Sequence, residues 1–196
     1  PGVNPEDTID GMSIKRIEAI IDKLKKEEYQ WTPVKRTYIE KRDTKKFRPL
    51  GMPGWNDKLL EEVIRLVLSA YFEPQFRESS HGFREGRGCH TALERIRRKG
   101  RGTAWFIEGD IKGCFDKIDH KILLRLLKRT IKDKPFLKLI WEMLKAGYME
   151  NWVYHKTYSG TPQGGIVSPL LMNFVLNEFD EFVEERLIPH NTKGKE

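Results

Sequence analysis

Apolar positions alternate between helical spacing and short β-prone runs. Ile14, Ile17, Ile20, Ile21 and Leu24 recur three and four residues apart behind Ser13, which predicts an amphipathic helix over 13–28 capped by that serine. Thr37-Tyr38-Ile39 and Phe47-Arg48-Pro49-Leu50 flank a polar turn at Asp43-Thr44-Lys45, the pattern of a β-hairpin. Pro49 and Pro53 keep its second strand short and near an edge. Leu59, Leu60, Val63, Ile64, Val67 and Leu68 place a strong helix over 55–73, ended by Pro74. Residues 79–88 form a glycine-rich loop, and helix resumes over 90–99. Ala104-Trp105-Phe106-Ile107 reads as a short buried strand leading into Asp110. Helices follow over 119–130 and 135–146, then a β-rich stretch over 152–158. A tight turn at 161–165 opens a long helix over 167–186. No period of 20–50 residues recurs, which excludes a repeat architecture.

Length adds that 196 residues make one large domain or two small subdomains sharing a core, able to bury roughly 70% of the unfolded surface. With 38% hydrophobic and 33% charged residues and ordinary Gly and Pro, disordered and collagen-like classes are excluded. The apolar runs are too short to span a bilayer. Cys89 and Cys114 alone fit a reducing compartment and exclude a disulfide framework. Together with His81, His90, His120 and His155 they lack the paired spacing of a zinc site. The chain opens on Pro1-Gly2 without an initiator Met and closes on a polar run, Asn191 to Glu196. Both ends read as cut from a longer protein.

Charge is polarised. Lys plus Arg number 36 and Asp plus Glu 29, for a net +7. Lys35, Arg36, Lys41, Arg42, Lys45, Lys46 and Arg48 cluster in the hairpin, and Arg84, Arg87, Arg95, Arg97, Arg98, Lys99 and Arg101 form a second cluster. The last helix is acidic, with Glu178, Asp180, Glu181, Glu184 and Glu185. Two basic clusters are the footprint of a polyphosphate partner, or else a solvated basic surface.

Three segments carry candidate chemistry. Asp110 stands at the end of an apolar run, five residues before Phe115. A carboxylate so placed suits a hard cation such as Mg²⁺, which keeps waters and takes few protein ligands; a plain turn residue is the other reading. Asp119 fits the N-cap of the next helix, and Asp116 is read as structural with it. In Ser159-Gly160-Thr161-Pro162-Gln163-Gly164-Gly165 the glycines permit positive φ and close approach. Gln163 then sits on a bare turn, able to hydrogen-bond a nucleotide or simply to connect strand and helix. Ser168 and Pro169 suit the start of the helix that follows. Across the hairpin, Lys41 and Arg48 can clamp a triphosphate, or can be the charges that keep an edge hairpin from aggregating.

The order of these segments is specific. Lys-Lys-Phe-Arg-Pro-Leu-Gly-Met-Pro, then Ser-His-Gly-Phe-Arg, then Gly-Asp-Ile-Lys-Gly-Cys-Phe-Asp, then Gly-Thr-Pro-Gln-Gly-Gly-Ile-Val-Ser-Pro-Leu-Leu together resemble the fingers and palm of bacterial group II intron reverse transcriptases, or maturases, over residues 1–186. The resemblance implies an α+β right-hand polymerase fold: a small antiparallel palm sheet backed by helices with the Asp110 strand central, and helical fingers carrying one hairpin. It implies an N-terminal extension and first fingers helix over 1–36, fingers over 37–103 and palm over 104–196.

By the same resemblance, Asp110 and the Ile111 carbonyl are the metal contacts and Phe115 is the gate under the incoming sugar. Gln163 touches the nucleotide, and Lys41 and Arg48 hold its triphosphate, with Arg42 a rival for Lys41 because the hairpin is one residue longer than the family form. From the second basic cluster, rather than from the resemblance, Arg84, Arg87, Arg97 and Arg98 are expected as nucleic-acid contacts. The implied cofactor is a pair of Mg²⁺ ions about 3.5–4 Å apart. Implied partners are intron RNA as template, a DNA primer or target, and dNTP, with a homodimer allowed and no membrane, in a bacterial cytoplasm. The family's Asp-Asp hairpin is absent from these 196 residues, so they are expected not to polymerise alone. A non-enzymatic RNA-binding maturase on the same fold is the alternative. A retron or defence-associated branch is disfavoured by the N-terminal extension.

Overall fold

The computed structural model describes residues 2–40, 45–161 and 164–192, with side chains described to His190. Among these, the chain divides into two compact units, one of residues up to Arg65 with Gly113–Ser168, the other of Leu66–Lys112 with Pro169 onward.

The first unit holds a four-stranded sheet in the order β2-β1-β3-β4. Strands β1 (Val34–Glu40) and β2 (Phe47–Met52) form the expected hairpin, Lys35 opposite Met52 and Ile39 opposite Arg48. β3 (Tyr148–Glu150) joins β1 in parallel, Val34 beside Tyr148, and pairs antiparallel with β4 (Val153–His155). Between β3 and β4, Asn151 and Trp152 both take positive φ, 50° and 65°, the type I′ turn whose twist matches a hairpin. The class is α+β as the sequence implies, but the sheet is mixed rather than wholly antiparallel.

Helix α1 (Ile14–Lys25) starts at Ser13, whose hydroxyl accepts from Arg16 N at 3.3 Å. Of its apolar stripe only Ile20 is buried, while Ile14, Ile17 and Ile21 stay exposed. Helix α2 (Trp55–Phe72) runs from the first unit into the second. Helices α3 (Cys89–Lys99), α4 (His120–Thr130) and α5 (Lys134–Lys145) follow. Asp119 caps α4, accepting from Lys121 N at 2.7 Å and Ile122 N at 2.9 Å, and Asp133 caps α5 through Phe136 N at 3.0 Å. The cores of α4 and α5 come from Leu123, Leu126, Leu127, Leu137, Ile140, Met143 and Leu144, all buried. Burying a leucine completely stabilises by about 2 kcal/mol, so these residues dominate the unit.

In the second unit Phe72 packs on Phe174, ring centroids 4.4 Å apart, beside buried Leu68, Phe76, Leu171 and Met172. Phe174 lies on α6 (Ser168–Phe182), which continues through a π-helical turn, Val183–Leu187, into α7 (Ile188–Thr192). The acidic end of this run is partly neutralised. Arg77 lies 3.9 Å from both Glu181 and Glu184 and pairs with Glu185, and Ser79 donates to Glu184 at 2.8 Å.

Two expectations fail here. Residues 104–107 are neither strand nor buried: the run from 103 to 110 has no regular structure, Trp105 is 86% exposed and Ile107 fully so. A strand needs a neighbour for its backbone groups, and none of the four described strands pairs with this segment. On α2 the buried face is Asp57, Leu60, Glu61, Ile64 and Leu68, whereas Val63 and Val67 are exposed. Two acids occupy places that the apolar pattern gave to valines.

Candidate nucleotide and nucleic-acid site

In the first unit the Phe115 turn is stitched to the segment that precedes residue 162. Thr161 N donates to the Phe115 carbonyl at 2.8 Å, Gly160 N to the Ile118 carbonyl at 2.7 Å, and Ser159 Oγ to the Asp116 carbonyl at 3.1 Å. His120, buried at the start of α4, meets the Gly160 carbonyl through Nε2 at 2.6 Å. A carbonyl only accepts, so Nε2 carries the proton. Gly160 has φ +86°, and a Cβ there would lie 2.8 Å from the Phe115 and Asp116 carbonyl oxygens. Gly164, at φ +102°, faces strand β2: a Cβ would lie under 3.0 Å from the Gly51 carbonyl and 2.9 Å from Leu50 Cδ1. Hairpin, Phe115 turn and the turn around 160–164 therefore meet at bare backbone.

Glu61 fastens the far side of this turn. Its carboxylate accepts from Ile166 N at 2.5 Å and Val167 N at 3.4 Å. Burial pushes its pKa up to about 7, the two amides opposing. One helical turn earlier, Asp57 accepts from Tyr29 Oη at 2.7 Å, Thr32 N at 3.1 Å and the Thr32 hydroxyl, yet burial still raises it. A cavity of about 480 Å³ opens beside these groups, with Arg36, Pro49, Asp116, Lys156, Tyr158 and Thr161 in its wall. The Arg36 guanidinium lies over the Tyr148 ring, 3.4 Å from its centroid, and His155 stacks on that ring at 4.8 Å.

Of the residues singled out in the sequence, Phe115 is half-buried in the stitched turn and Arg48 is exposed on β2. Lys41, its rival Arg42, and Gln163 lie outside the described residues. Asp110 and Ile111 are exposed in the irregular run of the second unit, whereas Phe115 and Arg48 belong to the first. The described residues hold no group of three or more His, Cys, Asp or Glu side chains that fits a metal ion. An exposed carboxylate with a neighbouring carbonyl is an all-oxygen donor pair, which fits the one or two protein contacts that Mg²⁺ takes alongside waters and phosphates.

The second basic cluster divides. Arg84 is withdrawn from the nucleic-acid contacts, since its side chain is 4% exposed. Its guanidinium donates to Glu73 Oε1 at 2.8 Å and to the Arg77 and Ser80 carbonyls at 2.8 and 2.9 Å. Arg87 is half-buried and donates to the Glu78 carbonyl at 2.8 Å. Arg97 and Arg98 are exposed and share Glu94. Sequence reasoning missed Glu61, Asp57 and Tyr148. A signal for the acids existed, because Asp57 and Glu61 stand four apart in line with Ile64 and Leu68.

A family model described as reverse transcriptase (RNA-dependent DNA polymerase) matches residues 39–193, and the chain belongs to that family. Within it, the resemblance to group II intron proteins holds: the chain is 56% identical over 178 residues to the group II intron-encoded protein LtrA of Lactococcus lactis subsp. cremoris, covering 91% of this chain and 30% of that protein. It is 48% identical over 193 residues to an uncharacterized 91 kDa protein in the cob intron of Schizosaccharomyces pombe, covering 98% of this chain and 24% of that one. Among solved structures, a partial Cas6-RT-Cas1–Cas2 complex matches with TM-score 0.60 at 25% identity, over 93% of this chain and 32% of that chain. The chain thus spans less than a third of the length of each.

Proposed function

We propose that this chain supplies the fingers and the first part of the palm of a group II intron RNA-directed DNA polymerase that also binds its intron RNA to assist splicing and mobility. The extension is 1–36, the fingers 37–103 and the palm 104–196. The observation that carries the reading is the convergence, in one unit, of hairpin β1–β2, the Phe115 turn and the turn flanking residues 162–163. A nucleotide entering there meets Arg48, a planar fork for phosphate oxygens, and the Phe115 ring, which stacks under its sugar. Gln163 touches the nucleotide, and Lys41 shares the triphosphate. Asp110 and the Ile111 carbonyl would hold Mg²⁺. A pair of such ions in the complete site would ease loss of the primer 3′-hydroxyl proton at one and neutralise triphosphate charge at the other. RNA template, DNA primer and dNTP are the partners, in a bacterial cytoplasm.

Replacing Asp110 by Asn, in the complete reading frame that carries this sequence, tests the proposal. Primer extension on an RNA template should fall at least a thousandfold while RNA affinity stays within threefold of wild type. Equal loss of both would make Asp110 structural. Unchanged extension would put the metal site elsewhere.

A further inference from the structure

In the second unit, the loop before α3 and one face of α3 enclose a cavity of about 360 Å³. The face is Thr91, Arg95, Arg98 and Lys99, spaced i, i+4, i+7 and i+8, so all four side chains share one side of the helix. The loop adds Glu78, His81 and Arg87. Four cations surround one lining carboxylate, which already pairs with Arg95 at 3.2 Å, while Arg98 pairs with Glu94 at 2.8 Å.

His81 is the informative member. Its Nδ1 lies 2.8 Å from Thr91 Oγ1. That hydroxyl accepts from Gly88 N at 2.9 Å and has one proton, for the Gly88 carbonyl at 2.9 Å or for Nδ1. In the first arrangement Nδ1 carries the ring proton. Nε2 is then a lone pair, shielded from solvent and with no hydrogen-bond partner. A buried ring nitrogen left unpaired carries an uncompensated desolvation cost. Protonation would make it a donor, but burial and then Arg87, Arg95 and Arg84 hold the ring below its usual pKa. The charged groups facing it are those three arginines with Arg98, Lys99 and Glu78, and the Arg84 guanidinium is committed to Glu73.

An anion resolves both problems, since it offsets the cations and gives Nε2–H an acceptor. We propose that this cavity is a phosphate site that takes one phosphodiester of a nucleic-acid backbone, and that His81 accepts a proton from solvent at Nε2 as the phosphate enters. The assignment to nucleic acid rests on the polymerase reading, whereas the phosphate site itself rests on the cavity. Linkage fixes the sign: an anion that raises the His81 pKa must bind more tightly as pH falls through the histidine range.

The test follows the His81 ring by NMR titration in the full chain, first with inorganic phosphate and then with a single-stranded tetraribonucleotide, against sodium chloride of equal ionic strength. Phosphate and tetranucleotide should each raise the His81 pKa by about one unit more than chloride does, so that the tetranucleotide, whose phosphodiesters do not titrate in this range, binds up to about tenfold more tightly well below the free His81 pKa than well above it. Arg95→Gln and, as an exposed second variant, Lys99→Gln should shrink that shift. Phosphate doing no more than chloride would overturn the site. A shift with phosphate and none with the tetranucleotide would overturn its assignment to nucleic acid. Primer extension by the complete reading frame, run in parallel, separates the two readings: its absence alongside an intact His81 shift counts against the polymerase and not against the phosphate site.

Discussion

Arg84 and Arg97 look alike in the sequence, each inside the same basic cluster, yet they do opposite things. Arg84 has given its donors to Glu73 and to the carbonyls of Arg77 and Ser80. Arg97 keeps most of its surface in water. Truncating Arg84 to Ala leaves those acceptors unpaired and should cost about 3 kcal/mol, read as a lower urea midpoint at unchanged slope. Arg97→Ala should leave the midpoint where it is. Nothing local distinguishes the two, because the partners of Arg84 arrive by the path of the loop. Asp119 was legible, since an N-cap is satisfied by amides two and three residues away. Phe115 gives a prediction of its own. If its ring gates the sugar, Phe115→Ala in the complete enzyme should reduce the preference for deoxyribonucleotides over ribonucleotides in kcat/KM by about tenfold or more, an effect of about 1.4 kcal/mol.

Helix α2 shows how far periodicity reaches. Its existence and length follow from the apolar spacing, but its rotation does not. Asp57 and Glu61 face inward because Tyr29, Thr32 and the Ile166 and Val167 amides, 25 to 106 residues away in sequence, satisfy them. Glu61 makes this testable. Its folded pKa of about 7 lies above the ordinary carboxylate value of 4.5. The folded chain therefore holds a proton that the unfolded chain has lost between those values. Stability should fall as pH rises from about 4.5 to 7 and level off above, by up to about 3 kcal/mol. Glu61→Gln keeps an acceptor for Ile166 N and cannot ionise, so urea unfolding at pH 5 and pH 8 should differ far less in the variant than in wild type. The segment 104–107 was misread for the complementary reason: its composition is that of a strand, but pairing belongs to the neighbour as much as to the segment.

Over the whole molecule, the net charge of +7 is organised rather than uniform, and this was legible from the order of charged residues along the chain. Hidden from composition was the internal pairing of the acidic end, which Arg77 meets through three glutamates. With one phosphodiester neutralised among Arg87, Arg95, Arg98 and Lys99, this site should account for about a fivefold loss of single-stranded RNA affinity per tenfold rise in salt. Filter binding at several salt concentrations reads that slope, and Lys99→Gln should flatten it. The exposed run carrying Trp105, Phe106 and Ile107 is apolar, uncharged and β-prone, a composition that favours edge-to-edge association. Light scattering should show concentration-dependent assembly of this chain, reduced by Ile107→Lys.

Where strand β2 passes Gly164, a Cβ on that glycine would lie under 3.0 Å from both the Gly51 carbonyl and Leu50 Cδ1. An approach that close leaves no slack between strand β2 and the chain entering α6, so a displacement of one is handed to the other undamped. An alanine at 164 would act as a wedge, forcing the two apart and making each answer the substrate alone.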